Sequence, residues 1–169
     1  AYEKRGVAVN VPVWHAENCI QCNQCAFVCP HAAIRPFAMN EEEAAAAPAS
    51  TKFTAKMLGK GCETLKFTIA ISPLDCMGCT LCVKACPTKE EKRAIEMTSQ
   101  ESQLDQQAAF DYAVANVSSK ELPFIDTSVK GSQFNQPLLE FSGACAGCGE
   151  TPYAKLVTQL YGERMYIAN

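Results

Sequence analysis

No apolar run in this chain of 169 residues approaches the roughly 20 residues that a membrane-spanning helix needs. Basic charge does not predominate either. Fifteen Lys and Arg stand against 18 Asp and Glu, a net charge of −3, which argues against a broad surface for nucleic acid or other polyanions. The opening residues, AYEKRGVAVNVPVW, carry no h-region of the secretory kind. An even, dispersed set of cysteines, as in a secreted disulfide framework, is also missing. The cysteines number 11, and eight of them crowd into two short runs. With 48% hydrophobic and 20% charged residues the chain should be globular. Its thiols read as ligands kept reduced in a cytosol-like compartment, so a cytoplasmic protein is expected, with neither a nucleic acid nor a membrane as partner.

The two runs are CIQCNQCAFVCP at 19–30 and CMGCTLCVKACP at 76–87. Cys19, Cys22, Cys25 and Cys29 are followed by Pro30, and Cys76, Cys79, Cys82 and Cys86 by Pro87. The pattern C-x2-C-x2-C-x3-C-P is the ligand run of bacterial two-cluster ferredoxins. Three cysteines at steps of three, in a loop wrapped around an inorganic cube, can each reach a different iron. The fourth lies too far along the chain and completes the other cube. The expected 4Fe–4S sets are therefore Cys19, Cys22, Cys25 with Cys86, and Cys76, Cys79, Cys82 with Cys29. Ile20, Phe27, Val28, Leu81 and Val83 are expected to exclude water from the cubes, and Ala26 and Gly78 to allow close backbone approach. The alternative is structural zinc, which favours CxxC pairs separated by longer gaps. Cys62, alone in GKGCE, reads as a free structural thiol. His15 and His31 read as surface or supporting residues rather than ligands, and Trp14 as core packing.

The runs belong to an internal duplication at an offset of 57 residues, from Cys19 to Cys76. Each follows an alternating apolar stretch, Val7–Val13 in the first copy and Leu65–Ile71 in the second, which predicts a strand with one buried face. Asn18 and Asp75 precede the first cysteine of each run. An insertion, about 38–62, contains EEEAAAAPAS, a helical turn or two stopped by Pro48. KEEKR at 89–93 reads as a solvated face. A helix is predicted over 99–117, capped by Thr98 or Ser99, with Leu104, Ala108, Phe110, Val114 and Val117 as its apolar stripe. Residues 121–140 read as a linker. In the last segment, 141–169, Thr151 suits an N-cap and Pro152 the first helical position. Tyr153, Leu156, Val157, Leu160 and Tyr161 form the expected buried face, and Gly162 a C-terminal cap. Residues 164–168 read as the start of a buried strand without a partner, so a longer parent polypeptide is expected. The fold class is α+β: a bacterial two-4Fe–4S ferredoxin-like module over 1–120 with its insertion, followed by the first helix and strand of an α/β domain.

Cys145 and Cys148, in FSGACAGCGETPY, cannot complete a cube alone. They could be a redox CxxC pair or two buried thiols. The sharper reading makes them half the ligands of a third 4Fe–4S cluster. Together with AYEKRGVAVNVPVWHAENCIQCNQCAFVCPHAAIRP, this segment resembles the pyruvate:ferredoxin (flavodoxin) oxidoreductases in their single-chain form, over nearly the whole sequence. The resemblance implies an oxidoreductase that converts pyruvate and coenzyme A to acetyl-CoA and CO2 in anaerobic metabolism, with thiamine diphosphate and Mg2+ as cofactors. Electrons would leave for ferredoxin or flavodoxin, and the enzyme would be a homodimer. It also implies that the third cluster is the one nearest the thiamine and that the segment here relays electrons outward. The thiamine and substrate sites would lie outside these residues, so the segment alone should be inactive and carries no catalytic residue. The alternative is a dicluster ferredoxin-like carrier or subunit of another redox complex.

Overall fold

The computed structural model describes residues 3–168. Four strands make two antiparallel pairs, and their pairing follows the duplication. In the first half, β1 (Asn10–Trp14) leads to the first cysteine loop, α1 (Gln24–Val28) and β2 (Ile34–Met39). Next come α2 (Glu41–Ala45) and the rest of the insertion. In the second half, β3 (Lys66–Ile71) leads to the second loop, α3 (Leu81–Ala85) and β4 (Ile95–Ser99). Each strand pairs with the other half: β1 with β4, Trp14 opposite Ile95, and β2 with β3, Ile34 opposite Ile71. The two loops are thereby set against each other, with α1 in contact with α3.

The strands differ from a one-faced pattern. In β3 every residue from Phe67 to Ile71 is buried, and in β1 so are Val11, Pro12 and Trp14, while Val7 and Val9 precede the strand and are exposed. The reason is packing on both sides: helices and added segments cover what an isolated hairpin would leave in water. Trp14 meets Phe67 edge-on at 6.2 Å, Phe67 meets Phe134 edge-on at 6.2 Å, and Phe134 stacks on Phe124 at 5.7 Å. Each such pair contributes about 0.5–1.5 kcal/mol beyond its buried area.

Phe124 and Phe134 come from the stretch expected to be a linker. Leu122, Phe124 and Phe134 pack on the core, and the short helix α5 (Val129–Ser132) sits between the two aromatics. A Cβ on Gly131 would collide with the Ile125 carbonyl, so only glycine allows this arm to fold so tightly. In the insertion, Asn40 and Glu43 form a capping box at α2. Burial alone would raise the Glu43 carboxyl. The Lys120 ammonium and the backbone N–H groups of Asn40 and Ser118 override it and hold the carboxyl down to about 2.

The helix expected over 99–117 begins as a 3-10 turn, Gln100–Gln103, and becomes α-helical as α4 (Gln106–Asn116). Ser99 makes no side-chain cap. Of the expected stripe only Phe110 is buried; Leu104 and Val114 are exposed. The buried face is Gln107, Ala109, Phe110 and Ala113, because small residues let α4 approach β3 and Gln107 hydrogen-bonds Ser72 Oγ at 2.9 Å. Over Phe110 and Phe141 lies the guanidinium of Arg35, 5.1 and 5.6 Å from the ring centroids, ion-paired with Glu140. The KEEKR stretch is an exposed turn, with Glu90 paired to Arg93 at 2.9 Å.

The last helix is α6 (Thr151–Tyr161). Thr151 is its first residue rather than its cap; Glu150 stands at the cap and gives no side-chain bond. The expected buried face holds only in part, with Leu156 and Leu160 half-buried. Tyr153, Val157 and Tyr161 are exposed, and the buried positions are Thr151 and Lys155. Gly162 ends the helix in a right-handed conformation, and a Cβ there would press on Leu138. Residues 165–168 form no strand, and Tyr166 is fully exposed.

Candidate metal centre

Both cysteine loops repeat one backbone path. Gln21 and Gly78 occupy the left-handed region at φ 57° and 68°, and Asn23 and Thr80 do so at 61° and 65°. The path turns backbone N–H groups onto sulfur: Gln21 N–H points at Cys19 Sγ over 3.4 Å, and Gly78 N–H at Cys76 Sγ over 3.3 Å. Each loop then enters one short helix, and the fourth cysteine, Cys29 or Cys86, stands at its C-terminal end in an extended conformation.

Each loop is anchored on the opposite half. Asn18 donates to the Arg93 carbonyl at 3.0 Å, just before β4. Asp75 accepts from Ser72 Oγ at 2.6 Å and from the Lys4 backbone N–H at 2.5 Å, ahead of β1. Gln21, buried, spans to the insertion: its amide donates to Thr54 Oγ1 and the Lys56 carbonyl and accepts from Leu58 N–H at 2.7 Å. Asn23, also buried, donates to the Lys130 carbonyl at 2.9 Å. Sequence reasoning missed Gln21 and Asn23. The signal was the repeat itself: Gln21 aligns with Gly78, whose glycine marks a left-handed position.

The cysteines line two cavities. Around the first are Cys19, Cys22, Cys25 and Cys86, with Trp14, Ile20, Ile69 and Ile95 as its apolar wall. Around the second are Cys29, Cys76, Cys79 and Cys82, walled by Pro12, Ile34, Met77 and Met97. Of the five residues expected to exclude water, only Ile20 lines either cysteine cavity, and it is half exposed. Strand residues such as Ile69 and Ile95 make the wall instead, because the antiparallel pairs run beneath the loops. Gly78 does allow close approach: a Cβ there would meet the Asn10 carbonyl oxygen at 3.2 Å.

All eleven cysteines are free of disulfides. Among the described residues no three His, Cys, Asp or Glu side chains converge closely enough to hold a single metal ion. Burial raises the Cys19, Cys25 and Cys82 thiols and pushes Cys76 up to about 12. Thiols so buried favour the neutral form unless a cation draws off the proton, as metal ligation does. Four sulfurs, an apolar wall and N–H groups aimed at sulfur fit a 4Fe–4S cluster in each cavity.

Of the two expected placements, surface or support beside a ligand, His31 takes the second. It is buried rather than superficial, lines the second cavity, and its Nε2 has no partner. Burial lowers its pKa, against a hydrogen bond to the Ser142 backbone. His15 is partly exposed and bonds Glu96 at 2.8 Å. Trp14 is core packing as expected, its buried Nε1 lacking a partner but close enough to Cys19 to oppose the rise of that thiol. Cys62 is fully buried near Gly59 and Phe124, outside both cavities.

Cys145 and Cys148 lie on one exposed turn, Cys148 N–H bonded to the Cys145 carbonyl at 3.1 Å. The Thr151 hydroxyl, with the backbone N–H groups of Thr151 and Glu150, lowers the Cys148 thiol pKa. This turn abuts the second cavity: a Cβ on Gly147 would sit 3.5 Å from Cys79 Cβ.

Residues 18–90 match the family of 4Fe-4S dicluster domains, which defines the class of the two-loop module. The whole chain aligns with one stretch of much larger enzymes. It is 57% identical over 169 residues to a pyruvate-flavodoxin oxidoreductase of Enterobacter agglomerans, covering 14% of that protein. It is 54% identical to the pyruvate:ferredoxin oxidoreductase of Moorella thermoacetica, again over 14% of its length. A third relative, a pyruvate dehydrogenase [NADP(+)] of Cryptosporidium parvum, is 49% identical, the chain covering 8% of it. Over its whole length the chain is thus similar to one segment of the pyruvate-flavodoxin and pyruvate:ferredoxin oxidoreductases. It spans about a seventh of the length of those relatives. No described helix is long and apolar enough to cross a membrane.

Proposed function

We propose that this segment is the electron relay of a pyruvate oxidoreductase, holding two 4Fe–4S clusters in crossed ligation. Cys19, Cys22, Cys25 and Cys86 hold the first, and Cys76, Cys79, Cys82 and Cys29 the second. The observation that carries the reading is the lining of the two cavities, four thiols each, three from one loop and one from the other. Such clusters supply one-electron storage at potentials tuned by their surroundings. The protein's part is to fix the sulfurs, exclude water with Ile69, Ile95 and Met97, and present N–H groups to Cys19 and Cys76.

Cys145 and Cys148 supply half the ligands of a third, proximal cluster, completed by cysteines of the parent chain. The contact of their turn with Cys79 supports the second cavity as the entry point and the first as the exit. The parent enzyme, a cytoplasmic homodimer in this reading, oxidises pyruvate with coenzyme A on thiamine diphosphate and Mg2+ bound outside this segment. It hands electrons to ferredoxin or flavodoxin. One relative is named for NADP+, and ferredoxin, flavodoxin and NADP+ assayed side by side distinguish the acceptors.

The test uses the parent enzyme under anaerobic conditions. Pyruvate plus coenzyme A should bleach the cluster absorption, and oxidised ferredoxin or flavodoxin should restore it. Cys148→Ser should block bleaching by pyruvate and leave bleaching by dithionite intact. Undiminished bleaching by pyruvate in that variant would remove Cys148 from the relay.

A further inference from the structure

Lys155 is only 5% exposed, although Tyr153, Val157 and Tyr161 of the same helix face solvent. Its Nζ donates to the Ala26 carbonyl at 2.7 Å and the Cys29 carbonyl at 2.8 Å. Both oxygens already accept a backbone N–H, from Cys29 and Ala32 respectively, so the ammonium takes their second lone pairs. Among the described residues no carboxylate pairs with it. The basic group acting on it is Arg35, whose own charge is met by Glu140.

A buried cation held only by carbonyl dipoles is costly, and such groups persist where negative charge faces them. Burial lowers the Lys155 pKa, and the acidic groups that oppose this are the sulfurs of Cys29 and then Cys25. These two cysteines line different cavities. The ammonium is therefore pinned beside a ligand of each site, closer in effect to the one that contains Cys29.

We propose that Lys155 is a positioning residue for electron transfer: its fixed positive charge, seated on the carbonyls of Ala26 and Cys29, favours the reduced state of both clusters, most of all the one ligated by Cys29. The inference rests on the two-cluster reading. A one-electron reduction adds one negative charge to a site, and a nearby fixed cation stabilises that state over the oxidised one. One electron enters from the preceding donor and leaves to the acceptor; no bond forms and no proton moves. Lys155 lies on α6, the helix that follows the Cys145–Cys148 turn in sequence, and its ammonium ties that helix to the Ala26 and Cys29 carbonyls.

The test compares Lys155→Arg, Lys155→Gln and Lys155→Met in the full-length parent enzyme, with iron and acid-labile sulfide measured first. Anaerobic redox titration followed by electron paramagnetic resonance then reads each cluster. At a fixed ambient potential, Gln and Met should lower the reduced-to-oxidised ratio of the Cys29 site about tenfold, equivalent to about 59 mV for a one-electron couple. The other site should shift the same way by less, and Arg should stay near the parent. Gln keeps a donor for the carbonyls without the charge. A Gln variant with full iron and an unshifted ratio would overturn the proposal, whatever Met does. Unsubstituted enzyme lacking iron and sulfide would overturn the cluster reading instead.

Discussion

Cys29→Ala separates crossed from local ligation. Cys29 follows the loop of Cys19, Cys22 and Cys25 in sequence but lines the cavity of Cys76, Cys79 and Cys82. The packing lost with one sulfur is about 1 kcal/mol, by analogy with a single buried methylene, so the fold should survive. Cluster content should not: of about eight irons in the two sites, up to about four should go, as each cube holds four. The discriminating form pairs the substitution with a second. Cys29→Ala with Cys79→Ala strikes one cube twice and should cost no more than about four irons. Cys29→Ala with Cys22→Ala strikes both and should cost up to about eight. Anaerobic iron and sulfide assay with electron paramagnetic resonance reads both. If the Cys29/Cys22 pair spared one cube and the Cys29/Cys79 pair lost both, crossed ligation would be wrong.

Three further outcomes test the scaffold. Glu43→Gln should lower stability by about 1–3 kcal/mol at pH 7. Because the folded carboxyl titrates at about 2, below its ordinary 4.5, this stabilisation is present above about pH 4.5 and fades toward pH 2. Denaturant midpoints of both proteins should therefore converge in acid; a constant gap would refute the Lys120 pairing as cause. Gln21→Ala strips three hydrogen bonds from a buried amide and should cost about 2–4 kcal/mol in the same assay, with the first cluster lost before the second on warming. Gly131→Ala should release the 122–134 arm and raise protease cleavage there; an arm as resistant as before would refute the close approach to Ile125.

The cysteine runs were legible because ligand spacing is a local property and the repeat doubled the signal. The partners of those runs were not. Ile69, Ile95 and Met97 reach the cavities through strand pairing across the duplication, which single-sequence periodicity does not report. The helical stripes failed for a related reason. On α4 the pattern pointed to Leu104 and Val114, yet close packing on β3 selected Ala109 and Ala113. On α6 the pattern pointed to tyrosines and valine, whereas the inward residue is Lys155, drawn by two carbonyls. The expected linker failed because Phe124 and Phe134, spaced without period, find a stack only in three dimensions.

Quantifying iron, acid-labile sulfide and zinc in anaerobically purified protein of this segment reaches the central claim most directly. Two cubes predict about eight irons and eight sulfides per chain with visible absorption. A folded, colourless protein with two to four zinc ions and no sulfide, about the load of a thiolate zinc module, would contradict it.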